Sequence, residues 1–148
     1  MALRILMVDD SIEDQAFVRY ALEKSGVGEV FVAVNDGLEA IQYLQGEGQF
    51  ADRGRFPVPN MVLCDLKMPR MDGFQFLQWV KEHASCSVIP TIILSSSGLV
   101  NDVKKAYELG ANAYIVKPTS LNVLVDMIKT TCDFWELCQR PELPERCG

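Results

Sequence analysis

Five short apolar runs, separated by helix-length segments, constrain this chain more than any other feature. Arg4-Ile5-Leu6-Met7-Val8 ends in Asp9-Asp10, Met61-Val62-Leu63-Cys64 in Asp65, Thr91-Ile92-Ile93-Leu94 in Ser95, and Ala113-Tyr114-Ile115-Val116 in Lys117-Pro118. Val30 to Val34 is the fifth. The runs are continuous rather than alternating, as in strands covered on both faces. Helical segments fill the gaps: from Ser11 to about Ser25, from Asp36-Gly37 through Leu44, from Gly73 to about Ala84, from Leu99 to about Leu109, and from Ser120 to about Cys138. A β-α unit repeated five times predicts a parallel sheet with helices on both faces. The polar residues at the strand ends then line up along the carboxyl edge, where open α/β sheets bind their ligands.

The helices carry local start and stop signals. Ser11-Ile12-Glu13-Asp14 resembles a capping box with Asp14 in the place of Glu or Gln, and Gly26 suits the residue after the last turn. The first helix has apolar residues at helical spacing, namely Ile12, Ala16, Phe17, Tyr20 and Ala21. Asp72 is a good N-cap for a helix whose stripe is Gly73, Phe76, Leu77, Val80 and Ala84. Residues 46–59, GEGQFADRGRFPVP, read as a loop, and a long one for a helix-to-strand connection. The chain reads as one domain over 1–148, with a core of about 3–138 and a proline-broken tail over 139–148.

Composition excludes several classes. Hydrophobic content of 49% and a mean hydropathy of +0.08 suit a globular chain. A net charge of −6 argues against nucleic-acid binding, which wants a basic patch. No run approaches the roughly 18 apolar residues of a membrane span, and the first run is too short for a signal peptide. The five cysteines (Cys64, Cys86, Cys132, Cys138, Cys147) have no C-x-x-C spacing, and a lone His83 cannot complete a Cys/His zinc site. They are expected as thiols of a reducing cytoplasm, Cys147 free and Cys64 buried. His83 is expected as a surface or edge histidine.

The strand-end residues carry the chemistry. Asp9 and Asp10 are adjacent acids that repel unless something positive sits between them, and Mg²⁺ suits such a site; helix-start acids are the plain alternative. Asp65 ends a strand and can serve as a phosphoryl acceptor. It opens Asp65-Leu66-Lys67-Met68-Pro69-Arg70-Met71-Asp72-Gly73, in which Pro69 and Gly73 set a turn. Ser95 offers a hydroxyl and Lys117 an ammonium to a phosphoryl oxygen. Lys117-Pro118 is a candidate cis bond that would fix the lysine's direction.

In order and spacing, these residues resemble the receiver domain of two-component response regulators, over nearly the whole chain. Asp9 and Asp10 match the family's acidic pair, Asp65 its phosphoacceptor, Ser95 its Thr/Ser, Lys117-Pro118 its Lys-Pro, and Tyr114 its aromatic switch position. The resemblance implies a flavodoxin-like five-stranded parallel sheet of order 2-1-3-4-5 with five helices. It implies a phosphoryl group taken from a sensor histidine kinase, with Mg²⁺ (Mn²⁺ as the substitute) held by Asp10, Asp65 and the Lys67 carbonyl, Asp9 acting largely through water. Lys117 and Ser95 would bind the phosphoryl oxygens, and Ser95 and Tyr114 would move as the switch. Lys67 and Ser97 occupy positions that tune dephosphorylation in the family. The chain is expected to be a signalling switch rather than an enzyme, with no attached output domain.

The long loop and the Phe134-Trp135 ending look like the single-domain regulators paired with bacterial phytochrome kinases. Those commonly dimerise, which makes helix 99–109, strand 113–116 and helix 120–138 the candidate homodimer surface. Leu121, Leu124, Ile128, Cys132 and Trp135 form the stripe of the last helix expected to face the sheet, leaving Val123, Met127 and Phe134 off it. Two other phosphate-handling designs compete. A haloacid-dehalogenase-type phosphatase would put D-x-D after the first strand, where this chain reads Asp9-Asp10-Ser11. A flavodoxin would need a Ser/Thr/Gly-rich loop there, and the two aspartates would repel its FMN phosphate.

Overall fold

A computed structural model of the chain describes residues 3–27 and 30–148. The strands are β1 (Arg4–Val8), β2 (Val30–Val34), β3 (Met61–Cys64), β4 (Thr91–Ser95) and β5 (Ala113–Val116). All pairings are parallel, in the order β2-β1-β3-β4-β5. The helices α1 (Ile12–Ser25), α2 (Gly37–Gln45), α3 (Gly73–Glu82), α4 (Val100–Glu108) and α5 (Leu121–Leu137) alternate with them. This is the parallel sheet that the β-α alternation predicts, in the flavodoxin-like order that the resemblance implies.

Strand alternation divides the core into two layers. Leu6, Val8, Val62 and Cys64 point toward α2, α3 and α4. Ile5, Met7, Met61 and Leu63 point toward α1 and α5. Residues on both faces of β1, β3 and β4 are buried, apart from half-buried Arg4, which explains why their sequences are continuous apolar runs. The register sets Val8 beside Val34 and Cys64, and Ser95 beside Val116. The residues that follow these ends therefore share one edge.

The caps follow local chemistry. The Ser11 hydroxyl accepts from the Asp14 N–H, Asp36 caps α2 through the Glu39 N–H, and Asp72 with Gln75 makes a reciprocal capping box on α3. Helix α3 stops at Glu82, short of Ala84. His83 caps it, its ring stacked 3.9 Å from that of Trp79 and its Nδ1 2.6 Å from the Trp79 carbonyl oxygen, an edge setting as expected.

On α1 the sequence stripe and the buried face differ. Val18, Ala21 and Leu22 are buried, whereas Ile12, Phe17 and Tyr20 are exposed. The aromatic residues Phe17 and Tyr20 stay outside, and α5 packs against α1 in the same layer. On α5, Leu124, Ile128 and Cys132 are buried and Trp135 packs against them, but Leu121 is exposed. Val123 and Phe134 are exposed, as expected.

The 46–59 segment is a packed loop. It holds a short 3-10 turn over Gly48–Phe50, and Phe50 is buried against Tyr43 and Phe56 with ring centroids 5.0–6.0 Å apart. The Tyr43 hydroxyl donates to the Pro57 carbonyl at 2.9 Å, and burial pushes its pKa up from 10.0 to about 12. A raised folded-state pKa means a contribution complete below the unfolded value and lost as pH rises through the folded one. Tyr43→Phe is therefore expected to cost about 1 kcal/mol at neutral pH. The gap between native and variant should narrow between pH 10 and 12. Urea denaturation across that range checks it; a constant gap would contradict the assignment.

The cysteine expectation fails at one pair. Cys86 and Cys147 form a disulfide, their Cα atoms 5.6 Å apart. Cys64, Cys132 and Cys138 are free thiols, and Cys64 is buried as expected. The pairing arises because the tail folds back over α2, which brings together residues 61 apart in sequence.

Candidate functional site

Four carboxylates and one ammonium converge at the carboxyl edge of β1, β3 and β5. Lys117 Nζ lies 2.7 Å from Asp9 Oδ2, 2.7 Å from Asp14 Oδ2 and 3.2 Å from Asp65 Oδ2. Asp10 joins the cluster: ligand atoms of Asp9, Asp10 and Asp65 all lie within 4.8 Å of one another. Asp9 is buried, Asp65 half-buried and Asp10 exposed, so the site opens on one side.

Backbone donors fix the two inner carboxylates. Asp9 Oδ1 accepts from the Ser11 N–H at 2.9 Å, and Asp65 Oδ1 from the Leu66 N–H at 2.7 Å. Burial raises the pKa of Asp9 even though Lys117 and the Ser11 N–H favour its charged form. Burial alone would lower that of Lys117, but hydrogen bonds to Asp14 and Asp9, with the charges of Asp9 and Asp65, hold it above the usual lysine range. One ammonium among four carboxylates leaves room for further positive charge. The all-oxygen donor set suits a hard divalent cation such as Mg²⁺.

The Asp65 loop is braced from α2. Arg70, at φ 62°, donates from Nε to Asp36 Oδ2 at 2.7 Å, and the Gly37 N–H donates to the Met71 carbonyl. Asp36 is buried; desolvation would raise its pKa, but the Arg70 guanidinium and the Glu39 N–H bring it below the usual carboxylate range. Lys67 stands exposed on the same loop.

Ser95 is buried at the end of β4, and its hydroxyl accepts from the Ser97 N–H at 3.2 Å. The Tyr114 hydroxyl donates to the Ser97 carbonyl at 2.7 Å, and the Ser97 hydroxyl donates to Asp102 at 2.6 Å. The Lys117 N–H donates to the Ser95 carbonyl at 2.7 Å. Ser95, Ser97 and Tyr114 thus form one hydrogen-bonded chain beside the carboxylates.

Lys117-Pro118 is trans, since no cis peptide bond occurs among the described residues. The trans form is the cheaper one by about 0.5–1 kcal/mol. Three carboxylates aim the lysine without the isomer that the sequence suggested.

A family model described as "Response regulator receiver domain" matches residues 5–129. The chain belongs to the response regulator receiver family. This receiver is 34% identical over 131 residues to response regulator Rcp1 of Synechocystis, covering 88% of this chain and 87% of that one. Its fold matches the crystal structure of the phosphorylated cyanobacterial phytochrome response regulator RcpA with a TM-score of 0.87 at 32% identity, covering 96% of this chain and all of that one. The Mn²⁺-bound form of Rcp1 matches with a TM-score of 0.83 at 33% identity, over 95% of this chain and 99% of that one. Receivers of this family bind Mg²⁺, accept phosphoryl groups and work with histidine kinases in two-component signalling. The phosphatase and flavodoxin alternatives give way to this membership.

The structure brings together Asp9, Asp10, Asp65 and Lys117, places Ser95 at the adjoining strand end, and puts Tyr114 one strand away. Asp14 is the residue that sequence reasoning passes over. As the third residue of α1 it looks like a capping acid, yet it is the Asp14 N–H that Ser11 caps, while the Asp14 carboxylate turns to Lys117. Its signal is the spacing to Val18, Ala21 and Leu22, which puts it on the buried face. Arg70 and Asp36 carry no such signal.

Proposed function

We propose that the chain is a stand-alone, single-domain response regulator that takes a phosphoryl group on Asp65 and reports it through its own surface. The Lys117 ammonium carries this reading, because it reaches Asp65 from the end of a different strand. The Asp65 carboxylate oxygen attacks the phosphorus of a phosphohistidine; the P–N bond breaks and its electron pair returns to the imidazole. Lys117 and Ser95 bind the phosphoryl oxygens. Mg²⁺ on Asp9, Asp10, Asp65 and the Lys67 carbonyl would supply charge neutralisation for the transfer.

The switch follows from the hydrogen-bonded chain. A phosphoryl group that draws the Ser95 hydroxyl takes it from the Ser97 N–H, and Ser97 is the partner of Tyr114. Tyr114 then turns inward, altering the face of α4, β5 and α5. This is a shift between two packings of one chain. Exposed Val100, Val116, Val123 and Phe134 make that face the surface for a homodimer. Exposed Ile12, Phe17 and Tyr20 on α1 give a kinase an apolar rim beside Asp14.

The likeness to Rcp1 and RcpA supports a phytochrome-type kinase as the donor. Among the described residues no helix is long and apolar enough to cross a membrane, which fits a cytoplasmic switch, and the acidic charge fits one that does not bind nucleic acid. The chain's own catalysis is limited to self-phosphorylation from small donors and autodephosphorylation.

Incubation with Mg²⁺ and a small acyl phosphate, followed by intact mass, tests the acceptor. The native chain is expected to gain one phosphoryl group and Asp65→Asn none; the same gain in both, or in neither, overturns the assignment. Lys67 is exposed on the loop two residues past Asp65, so Lys67→Ala is expected to change the aspartyl-phosphate lifetime several-fold. An unmoved decay rate removes Lys67 from the tuning role.

A further inference from the structure

The tail after α5 passes from one face of the sheet to the other. Leu124, Ile128 and Cys132 of α5 pack in the α1 layer, whereas Leu143 and Cys147 pack with Leu44, Phe50 and Val58 in the opposite layer. Three hydrogen bonds seat the tail on the end of α2 and the loop beyond it. The Cys147 N–H donates to the Leu44 carbonyl at 2.9 Å, Arg53 Nε to the Glu145 carbonyl at 3.1 Å, and Arg146 Nη1 to the Gly46 carbonyl at 3.2 Å. The Cys86–Cys147 disulfide closes over them. The ring it makes contains β4, α4, β5 and α5, and with them Ser95, Tyr114 and Lys117.

We propose that Cys86 and Cys147 are a reversible thiol–disulfide site, a clasp that holds the tail over α2 when oxidised and frees it when reduced by a dithiol. The tail has neither helix nor strand, and most of its residues between 139 and 146 are exposed or half-buried. Cys86 and Cys147 are themselves buried, so a reductant reaches the sulfurs as the tail lifts; that opening breaks a few hydrogen bonds and uncovers half-buried Leu143 with the two cysteines, a local event rather than an unfolding of the sheet. The three other cysteines are unpaired, two of them buried. In a reducing compartment a disulfide is more often a reporter than a fixture, and this step rests on the cytoplasmic reading above.

The chemistry balances. A thiolate of the dithiol attacks one sulfur, giving a mixed disulfide and one cysteine thiolate. The second thiol of the reductant then displaces the other cysteine and leaves as a cyclic or protein disulfide. Two electrons and two protons pass to the pair. Oxidation is the reverse, with a disulfide as the co-reactant.

The full chain, equilibrated in buffers of graded reduced and oxidised dithiothreitol, tests this. Samples are quenched in acid and alkylated in denaturant for intact mass and peptide mapping. Three alkylated cysteines are expected in the oxidised chain and five in the reduced one, with the transition complete in the absence of denaturant. Amide exchange at Cys147 should accelerate roughly tenfold or more on reduction while the sheet stays protected. Cys86→Ser should reproduce the reduced tail in oxidant, and if it fails to fold, the dithiothreitol series on the native chain still decides. Five alkylated cysteines after oxidation, a pair that opens only in denaturant, or equal tail protection in both states would each overturn the clasp. Uptake from the acyl phosphate, read in both redox states, reports separately on Asp65. Its absence defeats the phosphoacceptor reading and leaves the thiol count standing.

Discussion

Gly73→Ala is expected to unfold the Asp65 loop and to destabilise the chain by about 3 kcal/mol, the upper end of the range for overpacking against rigid neighbours. A Cβ on Gly73 would collide with the Asp65 carbonyl oxygen and lie 2.8 Å from Leu66 Cα. Both are backbone, and both belong to the loop that positions Asp65. The loop cannot retreat, because the Gly73 N–H donates to the Leu66 carbonyl at 2.9 Å and Asp72 is locked in the capping box. Gly37→Ala is the control. Its Cβ would meet Met71 Cγ at 2.6 Å, the side chain of a flexible residue that can rotate away, so the cost should stay near or below about 1 kcal/mol. Urea midpoints give the two stabilities, and phosphoryl uptake gives the state of the loop. A Gly73→Ala chain as stable as Gly37→Ala and fully phosphorylated would show that the loop has slack the packing denies.

What the sequence exposes is the part of the site that strand ends dictate. Asp9, Asp65, Ser95 and Lys117 are legible because a parallel sheet aligns its carboxyl edge, whatever the helices do. Asp14 is hidden because its role depends on which face of α1 turns inward. The large residues Ile12, Phe17 and Tyr20 suggest one face, and the crowding of α1 against α5 selects the other. The tail is hidden for a similar reason. Nothing local in Pro141 to Gly148 says that it crosses the sheet, and the partner of Cys147 lies 61 residues away in a turn. The 46–59 segment looks like a solvated loop by its glycines, prolines and charges. Its Phe50, Phe56 and Val58 nonetheless pack with Tyr43, since an aromatic cluster needs only a few anchors to hold an irregular backbone.

Lys117→Met should leave the four carboxylates of the site without their one cation. Without metal the variant leaves Asp9, Asp14 and Asp65 facing one another with no cation, and removal of one partner from a largely buried ion pair typically costs about 3–5 kcal/mol. In the native chain the ammonium occupies Asp9 Oδ2 and Asp65 Oδ2, the same carboxylates that a divalent cation would use. Lysine and metal would therefore share the same carboxylates. Mg²⁺ is expected to raise the melting temperature of both chains, because binding to the folded state alone stabilises it by mass action. The increment should be larger in Lys117→Met, where the cation replaces the missing charge, and Asp10→Asn should shrink it in either background. Since Lys117 is held above the usual lysine range, its own contribution is complete below pH 10.5 and fades only as pH climbs through the folded value, so neutral buffers report the full effect. Thermal melts in chelator and in Mg²⁺ measure the increments. Equal increments in native and Lys117→Met would mean that the ammonium and the metal occupy independent sites, and the shared-carboxylate geometry would have to be abandoned.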